Sequence, residues 1–153
     1  MRNNANNLKP IPASALTSVT AGGSGDATKV TGTSIERSGF YGGLLNIVAN
    51  VTIADTKTLA YAVEIQESPD NSTWATAVVL QAETVVFTSD GGDTNTRVNV
   101  PLVVDLNSYG KYVRFNITPN LSASGTDTAS VTADLIVTDS NESPLGLAFT
   151  GIE

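Results

Sequence analysis

Apolar and polar residues alternate along most of this chain. Leu45, Ile47, Ala49, Val51 and Ile53 fall on one side of an extended segment, with Asn46, Asn50 and Thr52 among the opposite positions. Leu59, Tyr61, Val63 and Ile65 repeat the pattern, as do Val98, Val100, Leu102 and Val104, and then Val131, Ala133, Leu135 and Val137. A period of two marks strands with one face buried. Further strands are predicted over Lys29–Ile35, Trp74–Leu80, Glu83–Thr88 and Tyr112–Thr118, about eight in all. No segment carries the 3.6-residue stripe of an amphipathic helix.

Turn residues punctuate these strands. The short Asp55-Thr56-Lys57 connection predicts a hairpin between the strands on either side of it. Pro69, Asp70 and Asn71 mark a turn over Ser68–Thr73. Ser89–Thr96 (SDGGDTNT) and Pro119–Asp127 read as loops, and Pro101 confines its strand to a sheet edge or a bulge. The expected fold is all-β: an antiparallel two-sheet β-sandwich, jelly-roll-like, of about eight strands, with an extended N-terminal arm. A true immunoglobulin domain would need a Cys–Trp–Cys spacing that this chain lacks. The expected core is Leu45, Ile47, Val51, Tyr61, Val63, Ile65, Val113, Phe115, Ile117, Leu135 and Val137.

Three regions follow: an arm over 1–25, a sandwich over 26–138 and a tail over 139–153. The arm opens with the polar MRNNANNLKP, is kept extended by Pro10 and Pro12, and ends in a glycine-rich linker over 21–25. Leu8, Ile11, Leu16 and Val19 are spaced along it. They are candidate partner-binding residues, because an extended arm can add backbone hydrogen bonds to a neighbour's sheet edge. The tail holds an apolar patch at Leu145–Phe149.

Composition narrows the chemistry. A length of 153 residues suits one domain with a self-sufficient core. The formal net charge is -7, and the eight basic residues are scattered, which argues against a nucleic-acid partner. With no histidine and no cysteine, the commonest general base, the commonest transition-metal ligand and all thiolate chemistry are missing. No apolar run approaches the ~20 residues that cross a bilayer, so no membrane partner is expected. The first ten residues lack the apolar segment of a signal peptide, which points to synthesis in a cytoplasm.

The candidate sites each have a plainer explanation. Asp90, Asp93 and Asn95 offer oxygen ligands on a glycine-rich loop, but the spacing departs from a calcium-binding loop, and a hairpin connection accounts for Gly91 and Gly92. Asp70, Trp74 and Tyr112 could form a ligand lip on which a sugar ring stacks; otherwise the tryptophan caps one end of the sandwich. Glu64, Glu67, Asp105 and Asp134 lie on or near strands, with Lys111 and Arg114 as plausible ion-pair partners. No catalytic, cofactor or metal residue is assigned. The five Asn-x-Ser/Thr triplets, at Asn50, Asn71, Asn116, Asn120 and Asn141, are explained by composition.

VEIQESPDNSTW followed by YGKYVRFNI resembles a pattern in the capsid cement, or decoration, proteins of tailed bacteriophages. There a strand ends in an acid-serine corner, an Asp-containing turn leads to Trp, and a later Tyr-x-x-Arg strand packs nearby. The matching positions are Glu67, Ser68, Asp70, Trp74, Tyr109, Tyr112, Val113 and Arg114, within a similarity spanning about Leu44–Val137. The resemblance implies a non-enzymatic virion protein on the capsid exterior. It implies the major capsid protein as partner and a homo-oligomer, a trimer ahead of a dimer. The reading from another class is a carbohydrate-binding β-sandwich module of a phage tail or cell-surface protein.

Overall fold

The computed structural model describes residues 8–37, 39–123 and 125–138. The expected tail over 139–153 and the first seven residues of the expected arm lie outside the described residues. The elements are β1 Leu8–Thr20, β2 Ile35–Glu36, β3 Gly42–Ile53, β4 Thr58–Ser68, β5 Val78–Thr88, β6 Asp93–Asp105, β7 Tyr112–Leu121 and β8 Thr128–Thr138.

The pairing has a simple logic. β4 pairs with β5, β3 with β6, β2 with β7 and β1 with β8, all antiparallel. This is one long hairpin of the whole chain, tightest at β4–β5. Rolling that ribbon up brings β3 against β8 and β4 against β7. Two four-stranded sheets result, in the orders β1-β8-β3-β6 and β2-β7-β4-β5. This is the two-sheet jelly roll expected from the strand count and patterning.

The core lies between the sheets. All eleven expected core residues are buried, joined by Leu59, Val98, Val104, Leu106 and Phe40. Inward positions on the two central strands of each sheet are mostly Val, Ile, Leu, Phe or Tyr, which fit a pleated, half-buried surface.

The hairpin expected across Asp55-Thr56-Lys57 does not form. β3 and β4 lie in different sheets, and this turn carries the chain from one layer to the other. A short polar turn between two alternating strands has the same sequence signature in both cases. The two strands therefore face each other through their side chains instead of bonding through their backbones.

The N-terminal segment is extended, but from Leu8 it belongs to the sandwich. β1 pairs with β8 from Leu8↔Thr138 to Thr20↔Thr128. Ala13, Val19 and Ala21 are buried in the core. Pro10 and Pro12 are accommodated because β1 is an edge strand. The register shifts around Ser14 turn the Ala13 carbonyl inward, where it accepts the Thr33 N–H at 2.8 Å. The next segment threads between the sheets here. Val30 bonds Ile117 of β7 in both directions, and a Cβ on Gly32 would lie 2.0 Å from the Phe115 carbonyl and 2.6 Å from that of Ala13. The expected strand over Lys29–Ile35 shrinks to this bridge plus β2, because the chain is shared between two sheets.

The glycine-rich run over 21–25, expected as a flexible linker, is a hydrogen-bonded turn. The Thr20 N–H bonds the Ser24 carbonyl at 2.9 Å and the Gly23 N–H bonds Thr20 at 2.8 Å. Asp26 fastens it, accepting from Gly22 N–H at 2.7 Å and from Leu121 N–H of β7 at 2.8 Å. The two short strands expected over Trp74–Thr88 are one, β5, which starts at Val78 and is broken into short runs by three register shifts against β4.

Candidate functional site

The residues that carry the sequence resemblance gather at one corner, where β4 leaves its sheet and β7 enters it. Ser68 pairs with Tyr112, Glu67 with Val113 and Gln66 with Arg114. A carboxylate oxygen of Glu67 accepts the Gly110 N–H, which fastens the loop before β7 onto the end of β4. Arg37 closes the other side, donating to the carbonyls of Gly110 at 3.0 Å and Tyr109 at 2.6 Å.

Asp70 builds the turn itself. One carboxylate oxygen accepts the N–H groups of Ser72 at 2.9 Å and Thr73 at 2.8 Å and the hydroxyl of Ser68 at 3.0 Å. These donors, Thr73 N–H first, hold its carboxyl well below the usual carboxylate range. Asn71 takes a positive φ of 63°, and its side chain accepts the Ser34 hydroxyl. The turn is thus specified by Asp and Asn for backbone reasons.

Trp74 is half-buried on the outer face of the second sheet. The Arg114 guanidinium lies over its ring, 4.1 Å from the centroid. Gln66 holds that guanidinium in place. Its Oε1 accepts Arg114 Nε and Asn116 Nδ2, each at 3.0 Å, while its own Nε2 donates to the Ala75 carbonyl at 2.8 Å. Lys111 sits over the Tyr112 ring at 5.1 Å and pairs with Glu36 at 3.3 Å.

Each member of the expected lip therefore has an internal partner. The oxygens of Asp70 serve its own turn, one face of Trp74 is covered by Arg114, and Tyr112 carries Lys111. The acids expected on strands do not converge. Glu64 pairs with Lys29, Glu67 with Gly110, and Asp105 accepts the Asn107 N–H at 2.9 Å. Lys111 and Arg114, expected as their partners, instead meet Glu36 and Trp74.

The loop expected over Ser89–Thr96 shortens to a turn between β5 and β6, with Gly91 and Gly92 at positive φ, and Asp93 and Asn95 stand on β6. Asp55 accepts the Gly91 N–H at 2.8 Å, Asp93 accepts the Thr96 hydroxyl at 2.8 Å, and buried Asp127 accepts the Ala54 N–H at 3.2 Å. Asp93 and Asp127 border a shallow depression. Among the described residues, no group of three or more acidic side chains is placed to hold a metal ion.

The four candidate partner-binding residues divide. Leu8 and Leu16 are exposed, and Ile11 is half-buried against the core. Val19 is buried within this chain and offers no free surface, because it faces inward on β1. Sequence reading missed a second set of exposed apolar side chains: Val78, Val79 and Val85 on β5 and Val103 on β6. Their own strands gave no warning, since each stands in an ordinary Val-rich run. The signal lies in register, which only the pairing reveals.

No family model matches this chain, and neither does a curated protein. Among solved structures, one chain in the structure of the infectious bursal disease virus Gt strain matches with a TM-score of 0.51 at 15% identity, over 92% of this chain and 33% of that one. The VP2 subviral particle of the same virus matches with a TM-score of 0.49 at 16% identity, over 92% of this chain and 35% of that one. This chain therefore spans about a third of the length of the solved chains it matches. The likeness to the Gt strain chain is one of fold.

Proposed function

We propose that this protein is a structural component of a virus particle, a decoration protein that binds the outside of a bacteriophage shell and does no chemistry. The observation that carries this reading is the jelly-roll pairing, shared at the level of fold with a chain of a virus particle. The corner supports it. The residues that resemble the cement-protein pattern are tied together by the Glu67–Gly110, Ser68–Asp70 and Arg114–Trp74 contacts. The same contacts consume the groups a sugar-binding lip would have displayed. The proposed partner is the major capsid protein, and the proposed oligomer a trimer. Exposed Leu8 and Leu16 on the β1 edge are the arm positions still able to contact either.

The test is to fractionate purified particles on a gradient and probe for the chain, and to image the chain expressed alone. Co-migration with mature particles, together with small oligomers when expressed alone, is the expected result. Absence from particles overturns the virion role. Closed shells formed by this chain alone would make it a shell subunit and overturn the decoration role.

A further inference from the structure

The two sheets have four edge strands: β1, β6, β2 and β5. An edge offers unpaired N–H and C=O groups to another chain, and proteins blunt it with proline, charge, bulges or a very short strand. β1 carries Pro10, Pro12 and its register shifts. β6 carries Pro101 and exposed Arg97. β2 is two residues long. β5 runs for eleven residues, VVLQAETVVFT, without proline, lysine or arginine. Its one charge, Glu83, is turned onto the sheet, where it accepts from Asn120 at 2.9 Å. Register shifts against β4 are the only blunting device left to it. Val78 pairs with inward Ile65 and Val79 with outward Glu64, yet both are exposed, as is Val85. An apolar row also crosses the outside of the first sheet, with Pro10, Ile136, Leu44 and Val103 opposite one another in turn. That row offers side chains alone, whereas β5 offers backbone and side chains together.

The sequence of β5 is close to a palindrome. About Ala82, Val78 mirrors Val86, Val79 mirrors Val85, and Gln81 mirrors Glu83. A two-fold contact needs a surface complementary to itself, because residue i meets residue j and j meets i. Two antiparallel copies of β5 in register at Ala82 supply that complementarity. Val79 and Val85 share the outer face, beside Glu64 and Ala60 of β4, so each meets the other across the axis. Glu83 meets Gln81 of the second copy, an amide, and like charges never stand opposite.

We propose that β5 seats a second copy of this chain, paired antiparallel about a two-fold axis at Ala82, which joins two four-stranded sheets into one of eight strands. The pairing gains backbone hydrogen bonds along the edge and covers the exposed valines. It stands independently of the virion role. The trimer proposed above would use other surfaces, which this contact leaves open. β1, with exposed Leu8 and Leu16, lies at the opposite side of the sandwich, since β1 packs beside β7 and β5 beside β6.

Sedimentation of the full chain at rising concentration is expected to show an even-numbered oligomer, a dimer or, where the trimer also forms, a hexamer. A monomer at every concentration overturns the proposal. A trimer alone overturns it too and leaves the proposed trimer standing. The register is tested by charge. Val79→Lys and Val85→Glu, both at exposed positions, are each expected to weaken the two-fold contact at least tenfold. Together in one chain they are expected to restore it to within a few fold, because each new lysine then faces a new glutamate of the second copy. Within one chain the two positions are ~20 Å apart and cannot pair. Association that neither single substitution weakens, or that the pair does not restore, overturns the proposal. Disulfide formation gives a second readout, since the chain has no cysteine. Ala82→Cys places its one thiol at the axis, and either spacing of an antiparallel pair, about 4.5 or 5.5 Å between Cα atoms, is within disulfide reach. Thr88→Cys, exposed on the same strand, places the two thiols ~40 Å apart. Oxidation is expected to link Ala82→Cys chains at least tenfold faster than Thr88→Cys chains, and equal rates overturn the proposal.

Discussion

The two outer faces of this sandwich solve different problems. The second sheet turns a bonded polar surface to solvent over β4 and β7, and leaves Val78, Val79 and Val85 exposed only on its edge strand β5. Lys29 meets Glu64, Gln66 braces Arg114 and Asn116, and Arg114 covers Trp74. The first sheet leaves an apolar row at one end and polar side chains at the other. Both faces stand on one core, so the difference is one of surface chemistry. A face whose side chains satisfy one another has little left to offer a partner. A face with an unsatisfied apolar row is where contact with something else gains most, since the burial of apolar surface drives association.

The strongest way to break this comparison is to remove the edge of the first sheet. Deleting 1–25 takes away β1, with buried Ala13, Val19 and Ala21, and leaves β8 with an open edge. A segment acting only as an arm for other subunits could be lost without unfolding the sandwich; this one cannot. The expected cost is several kcal/mol, a large share of the 5–15 kcal/mol that holds a typical domain. Loss of a cooperative melt by circular dichroism is the expected sign. A truncated chain that melts within a few degrees of the full one would show that β1 is dispensable.

Phe115→Ala should cost less and strike both sheets equally. Phe115 is fully buried on β7, and its backbone lies against the Gly32 strap that joins the layers. A cost of about 3–5 kcal/mol is expected in denaturant unfolding. A value under 1 kcal/mol would mean that the two layers do not share a single packed core.

Much of this core was readable beforehand because alternation reports which side of a strand is wet. Leu45, Tyr61, Ile65 and Phe115 all follow from it. Alternation does not report partners. The turn at Asp55–Lys57 reads alike whether β4 returns beside β3 or crosses to the other layer. β1 was hidden for a related reason. Its two prolines and its bulge at Ala13 break the period, which made a sheet strand look like an arm. At the corner, the turn chemistry of Asp70 and Asn71 was legible, because both act on their own backbone. The Arg114–Trp74 stack was not, because it joins positions forty residues apart. The apolar row on the first sheet was hidden likewise: each of its four residues comes from a different strand.

The stack is also the sharpest probe of the second face. Arg114→Gln removes the cation over the only tryptophan and leaves Gln66 Oε1 with Asn116 alone. A half-exposed cation–π contact contributes roughly 0.5–1 kcal/mol. A destabilisation of that size is expected, with a shift in tryptophan emission as the ring loses its cover. Unchanged emission would mean that the two side chains do not stack in solution.

The smallest effect is expected in the core behind that face, and its sign is opposite. The Tyr61 hydroxyl is buried with no hydrogen-bond partner among the described residues. An unsatisfied buried hydroxyl is a cost, so replacing it with hydrogen should not weaken the fold. Tyr61→Phe is expected to leave stability unchanged or raise it by up to about 1 kcal/mol. The same burial pushes the phenol's pKa upward in the folded state, since the phenolate would lose its hydration. In the unfolded chain the phenol ionises near its ordinary value of about 10. Below that pH, Tyr61 carries its proton in both states and contributes no pH dependence. Above it, only the unfolded chain releases the proton, and stability falls as pH rises. Melting curves between pH 9 and pH 11 should therefore decline more steeply for the native chain than for Tyr61→Phe. Equal slopes would mean that the phenol reaches water in the folded protein. A loss of more than 1 kcal/mol at neutral pH would mean that the hydroxyl has a partner, and that this part of the core is polar by design.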